Sequence, residues 1–172
     1  QFVQGNEFLG KFSRLIRRVL DQSVAPAIPL SEELATLKLY LDVEKIRLEH
    51  KLHYDIQIDQ NVEVDFISVP PLVLQPFVEN AIWHGIAPKK GKGTISIHCK
   101  MSENDQFLNV VISDDGVGLS PKLPQTKAHQ SKGIKITEER LGKMGSVAIF
   151  DRQTEGKKGV KVQLVIPTSD QI

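Results

Sequence analysis

Leu74-Gln75-Pro76-Phe77-Val78-Glu79-Asn80-Ala81-Ile82-Trp83-His84-Gly85 reads as a helix, and together with Asp114-Asp115-Gly116-Val117-Gly118 it decides the fold. On a helix Asn80 and His84 stand four apart and share a face that can line a cleft, while Glu79 and Trp83 share the neighbouring face. An asparagine amide competes with backbone hydrogen bonds, so Asn80 in mid-helix is either a polar residue on a solvated face or an amide placed to hold a metal. The second stretch follows Asn109-Val110-Val111-Ile112-Ser113, a run rich in β-branched residues that reads as a strand delivering Asp114 to a sheet edge or end. Gly116 and Gly118 then let backbone approach a ligand closely. Asp-Gly is also ordinary turn chemistry, so Asp114 is either a turn former or a carboxylate that can read a base. Asp115 points away by alternation and reads as a surface charge.

Outward from these stretches the chain alternates helices and strands. Phe8, Leu9, Phe12, Leu15, Ile16 and Val19 recur at helical spacing over residues 4–22, with Lys11, Arg14, Arg17 and Arg18 on a polar face. A break over 23–28 precedes a second helix, with Ser31 as its cap, Glu32 and Glu33 in its first turn and Leu34, Leu37, Leu41 and Leu48 as its apolar stripe. The patterns predict strands over 53–59, 94–100, 107–114, 147–151 and 160–166, a connector over 65–71 and a helix over 134–143. Adjacent strand pairs with interspersed helices suggest an α+β fold, a two-layer α/β sandwich whose mixed sheet carries helices on one face, plus the N-terminal helix. Ser120 to Lys132, with Pro121 and Pro124 and no apolar period, reads as a long flexible loop of the kind that forms lids.

A chain of 172 residues supports one sizeable core. Its net charge of +1 provides no global field for nucleic acid or an anionic membrane, so a polynucleotide partner is not expected. The single cysteine, Cys99, excludes an intrachain disulfide, suits a reducing compartment and, in an alternating strand, reads as a buried structural thiol. No apolar run approaches the roughly 20 residues that span a bilayer, and the N-terminus lacks a signal-peptide pattern. Because Gln1 begins in what reads as mid-helix, the chain is expected to be a fragment of a longer protein.

The two opening stretches resemble the N box and the D-x-G-x-G box of the ATP-binding domain shared by histidine kinases and DNA gyrase, the Bergerat or GHKL fold. The fuller string from Val69-Pro70-Pro71 to Glu79-Asn80-Ala81 is most similar to the LytS-type sensor histidine kinases of bacteria. The likeness extends to Pro29-Leu30-Ser31-Glu32-Glu33-Leu34, Tyr40 to Arg47, Arg140-Leu141 and Val165-Ile166-Pro167, nearly the whole chain. It implies the sandwich described above, with residues 1–28 as a partial phosphoacceptor and dimerisation helix and 29–172 as the ATP-binding catalytic domain. It also implies that ATP and Mg²⁺ bind, with the Asn80 amide oxygen on the metal, His84 facing the nucleotide, and Asp114 accepting a hydrogen bond from the adenine amino group above Gly116 and Gly118. In the Ser131 to Leu141 stretch, similar to the family's G-x-G-L-x-N-x-x-x-R-L, Lys132 and Gly133 would meet phosphate at a helix start, and Arg140 is open between a structural ion pair and a ligand contact.

Several departures qualify the likeness. Ser131 replaces a glycine, Ile136 an asparagine, and Trp83 stands where many relatives carry a basic residue, so a phosphate-contacting cation is missing unless Lys127, His129 or Lys132 supplies it. Pro76 occupies the position of the gyrase glutamate that activates water, which predicts slow hydrolysis. None of His50, His53, His84, His98 or His129 lies in the family's N-P-H-F-L-F-N-like acceptor stretch. The resemblance therefore implies a kinase that transfers the ATP γ-phosphoryl group to a histidine absent from this sequence for relay to a response regulator. It further implies a homodimer in the full-length protein and a cytoplasmic domain of a sensor anchored in the inner membrane. The rival readings are a gyrase-like ATPase and a non-catalytic nucleotide sensor.

Overall fold

The computed structural model describes residues 2–119, 132–142 and 144–168. The elements are α1 (Phe2–Ser23), β1 (Ile28–Pro29), α2 (Leu30–Arg47), β2 (Leu52–Ile58), β3 (Ser68–Val69), α3 (Gln75–Asn80), a π-helical segment (Ala81–Ile86), β4 (Gly93–Met101), β5 (Phe107–Asp114), α4 (Lys132–Leu141), β6 (Ser146–Asp151), a 3₁₀ turn (Arg152–Glu155) and β7 (Val160–Pro167). Five strands form one sheet in the order β2-β4-β5-β7-β6. Only β2 and β4 run parallel, so the sheet is mixed as expected.

Alternation decides which face is covered. Ile95, Ile97, Cys99 and Met101 of β4 and Leu108, Val110 and Ile112 of β5 are buried, whereas Thr94, Ser96 and Lys100 face water. Leu164 and Ile166 of β7 extend the same apolar face. Helix residues Leu30, Leu37, Leu41, Phe77, Ile82 and Ile86 close over it. Each fully buried aliphatic or aromatic side chain contributes about 1.5–3 kcal/mol relative to exposure, which makes this layer the main source of stability. Cys99 belongs to it, and burial pushes its thiol up to about 12, in keeping with a structural role.

Two sequence expectations are corrected at α2. Ser31 is not the cap: the helix starts at Leu30, and the Leu30 and Ser31 N–H groups donate to the backbone carbonyls of Ile67 (2.8 Å) and Val64 (3.0 Å). Tertiary backbone partners thus satisfy donors that a side-chain cap would otherwise serve. Glu33 does not simply favour its own helix dipole, because it is buried and directed at the start of α3.

Helix α1 lies on α2. Leu15 is buried, with Phe8 and Val19 packed beside it, while Leu9, Phe12, Ile16 and Leu20 remain exposed. Lys11 reaches Asp42 at 3.4 Å, and Tyr54 Oη donates to the same carboxylate at 2.5 Å, so one acid ties α1 and the sheet to α2. Among the described residues no helix is long and apolar enough to cross a membrane.

Candidate functional site

The Asn80 helix is set from its first turn. Val69-Pro70-Pro71 brings the chain into a tight bend in which Leu72 adopts φ +57°, a left-handed conformation costly for a residue with a side chain. Glu33 holds that bend: Oε2 accepts from Leu72 N–H at 2.7 Å and Oε1 from Leu74 N–H at 2.9 Å. A carboxylate at a helix N-terminus also meets the positive end of the dipole. Burial raises the Glu33 carboxyl above its usual range, with the N–H donors and Arg140 opposing. Arg140 completes the brace by donating from Nη1 to the Pro71 carbonyl at 2.8 Å, a structural contact made to backbone.

The expected regular helix through Asn80 and His84 is interrupted. After Asn80 it widens into the π-helical segment, with Ala87 N–H donating to Ile82 O at 2.7 Å, five residues back. Such widened turns cost helix regularity and frequently mark functional positions. Here the widening lowers Gly85 onto Asp114, since a Cβ on Gly85 would lie 2.7 Å from Asp114 Oδ1. Val117 N–H donates to Gly85 O at 3.1 Å and seals the junction. The two motifs that open the sequence reading therefore touch.

Asp114 occupies an inward position of β5, opposite Ile95, where alternation calls for an apolar residue. It is only 3% exposed. Its Oδ1 accepts from Gly116 N–H at 2.8 Å and its Oδ2 from Val160 N–H at 3.3 Å. Burial pushes its carboxyl above the usual range, partly opposed by these two donors and by Arg152. Gly116 fits because a Cβ there would sit 2.6 Å from Oδ1 and collide with Gly85. Gly118, with φ +83°, turns the chain away.

Three contributors to this cradle escaped the sequence reading. Gly159, at φ +103°, lies so close that a Cβ would overlap the Asp114 carbonyl. Arg152 donates to that carbonyl from Nη1 at 2.8 Å. Gly85 stands in the first motif, and only its contact with Asp114 shows why it is glycine. Nothing local in Lys157-Lys158-Gly159 distinguishes it from an ordinary turn, and only the β5–β7 pairing brings it to Asp114. Asp115 is a further correction: it is more than a surface charge, since its Oδ1 accepts from Thr94 N–H at 2.8 Å and meets Lys89 Nζ at 2.9 Å.

Asn80 is partly buried, and its side-chain amide has no hydrogen-bond partner among the described residues. His84 is exposed one turn on. Glu79 accepts from Gln75 Nε2 at 2.8 Å. Among the described residues no three acids, histidines or cysteines cluster to cage a metal. An amide oxygen is the kind of ligand Mg²⁺ takes, alongside waters and phosphate oxygens. Lys132 and Gly133 form the first turn of α4, two residues earlier than the helix read from sequence. The lid expectation for 120–131, with Lys127 and His129, lies outside the described residues.

Comparison with known proteins follows the same outline. The family described as "Histidine kinase-, DNA gyrase B-, and HSP90-like ATPase" matches residues 70–170, and the "Histidine kinase" family matches 3–52. Sensor histidine kinase YpdA of Escherichia coli is 33% identical over 131 residues, covering 76% of this chain and 22% of that protein. Sensor protein LytS of Oceanobacillus iheyensis is 29% identical over 170 residues, covering 92% of this chain and 28% of that protein. The chain thus spans less than a third of the length of these two relatives. Among solved structures, the histidine kinase domain of the Erythrobacter litoralis EL346 blue-light activated histidine kinase superposes with a TM-score of 0.63 at 17% identity, over 95% of this chain and 76% of that one.

Proposed function

The chain belongs to the histidine kinase-, DNA gyrase B- and HSP90-like ATPases, and on that footing we propose that it binds ATP with Mg²⁺ and presents the γ-phosphoryl group to a protein histidine for relay to a response regulator. The observation that carries the reading is the contact between the two motifs: a buried carboxylate, clasped by Gly85, Gly116 and Gly159, under the helix that bears Asn80, whose amide has no partner among the described residues.

Asp114 is the base reader. Its carboxylate is immobilised by Gly116 and Val160 N–H groups and accepts from the adenine amino group, while Gly116 and Gly118 keep the turn close to the ring. Asn80 would hold Mg²⁺, which supplies charge neutralisation at the phosphates. His84 faces the nucleotide, and Lys132 and Gly133 meet phosphate at the start of α4, where helix N–H groups are available. Hydrolysis should be slow, since Pro76 stands at the position of the gyrase glutamate and Glu79 accepts from Gln75. Residues 1–28 form part of the phosphoacceptor and dimerisation unit, and the exposed Leu9, Phe12, Ile16 and Leu20 face of α1 receives the other helix of that unit in a homodimer. Residues 29–172 are the catalytic domain, on the cytoplasmic side of a sensor anchored in the bacterial inner membrane.

Inosine triphosphate tests the base reading, because it keeps the phosphates and lacks the adenine amino donor. Leaving a buried acceptor unpaired costs about 1–3 kcal/mol, so its affinity should fall roughly 5- to 150-fold below that of ATP in calorimetric titrations. Equal affinities would remove Asp114 from base recognition.

A further inference from the structure

Trp83 carries a positive charge on its face. The indole is 50% exposed, and the Arg47 guanidinium carbon lies 3.9 Å above the ring centroid. Arg47 is the last residue of α2, so a cation from one helix is seated on an aromatic ring from another. The cation is held: Glu44 receives Nε at 2.8 Å and Nη2 at 2.5 Å on the single oxygen Oε2. That leaves Arg47 Nη1 without an acceptor among the described residues.

A brace between two helices would account for the stack, but not for its placement and exposure. Trp83 follows Asn80 by three residues and precedes His84, so the stack sits one turn along from the amide proposed to hold Mg²⁺. A nucleoside triphosphate brings more negative charge than one divalent cation cancels. Three other cations near the two motifs are committed to protein: Lys89 to Asp115, Arg140 to the Pro71 carbonyl and Arg152 to the Asp114 carbonyl. Arg47 is pre-oriented, partly exposed and has N–H groups to spare, and a planar guanidinium binds phosphate oxygens well.

We infer that Arg47, carried on the Trp83 ring, is a ligand for the polyphosphate of the nucleotide bound at Asn80. The inference rests on the nucleotide site proposed above. It places a phosphate contact in α2, outside the glycine-rich motifs, and gives Trp83 the task of aiming a cation that its own helix lacks.

The chain contains one tryptophan, Trp83, so its fluorescence reports directly on the stack. ATP and adenosine are titrated into the chain and into Arg47→Gln, with calorimetry alongside. Losing a charge-assisted contact should weaken ATP by about tenfold while leaving adenosine unchanged, and ATP but not adenosine should alter Trp83 emission. Adding Trp83→Lys to Arg47→Gln should recover ATP affinity by restoring a cation beside Asn80. An unchanged ATP-to-adenosine affinity ratio in Arg47→Gln overturns the inference and leaves the nucleotide site standing. A wild-type chain that binds neither ligand overturns the site itself and the inference with it. If Arg47→Gln does not melt cooperatively, Trp83→Leu, which removes only the platform, decides by the same ratio.

Discussion

A buried carboxylate is costly unless it is paired or hydrogen-bonded, and Asp114 and Glu33 are put to two different uses. Asp114 stands in a core position of β5 with two backbone donors, enough to orient it but not to offset burial. Glu33 is spent on structure, holding Leu72 and Leu74 so that the next helix can start. Its pH behaviour follows from the raised carboxyl. The unfolded group ionises near its usual 4.5, whereas the folded one keeps its proton to higher pH, so between these limits the native state binds more protons and the group's stabilising effect is lost as pH rises. Glu33→Gln leaves an N–H donor unpaired and should destabilise by about 1–3 kcal/mol, with the gap to wild type narrowing upward from pH 4.5. Urea unfolding at several pH values measures it, and a gap that widened would contradict the assignment. Asp114 and Asn80 were legible in the sequence because each violates a local rule, a charge at the end of an apolar strand and an amide in mid-helix. Arg152 and Gly159 violate none, and their importance exists only after β7 pairs with β5.

Among the elements, the helix carrying Asn80 departs most from its sequence signal. Its apolar period predicts regular α-helix, yet from Ala81 the turns widen because Gly85 must settle on Asp114. A close approach between distant segments overrides local propensity there, as the Ile67 and Val64 carbonyls override Ser31 at the start of α2. Helix α1 was legible as amphipathic, but its apolar residues divide between two faces that periodicity alone did not separate. Leu15, on the face against α2, is 5% exposed, and Phe12 on the other face is 42% exposed. Leu15→Ala should therefore cost roughly 2–5 kcal/mol, provided α1 unfolds with the domain. Phe12→Asp should leave the melting temperature nearly unchanged while reducing self-association. Thermal melts and sedimentation velocity distinguish them, and equal destabilisation by both would show that α1 does not present two distinct faces.

At the scale of the molecule, the mixed sheet and its single helical layer follow from alternation in β4, β5 and β7, which the sequence displays residue by residue. Strand β6 was harder to assign a face because, at the sheet edge, it leaves Ile149 and Phe150 about as exposed as its polar neighbours. The layer presses the Asn80 helix against the end of β5, and the site proposed there has Pro76 at the position of the gyrase glutamate. Hydrolysis of ATP by this chain should accordingly stay below about 1 per second, the lower end of ordinary enzyme turnover. A faster rate abolished by Asn80→Ala would favour a gyrase-like ATPase. The most direct test of the whole account is calorimetric titration of ATP with and without Mg²⁺ into wild type, Asp114→Asn and Asn80→Ala. Asp114→Asn should lose about 1–3 kcal/mol of affinity whether or not Mg²⁺ is present, whereas Asn80→Ala should lose only the Mg²⁺-dependent part. Unchanged nucleotide affinity in both variants would contradict the account.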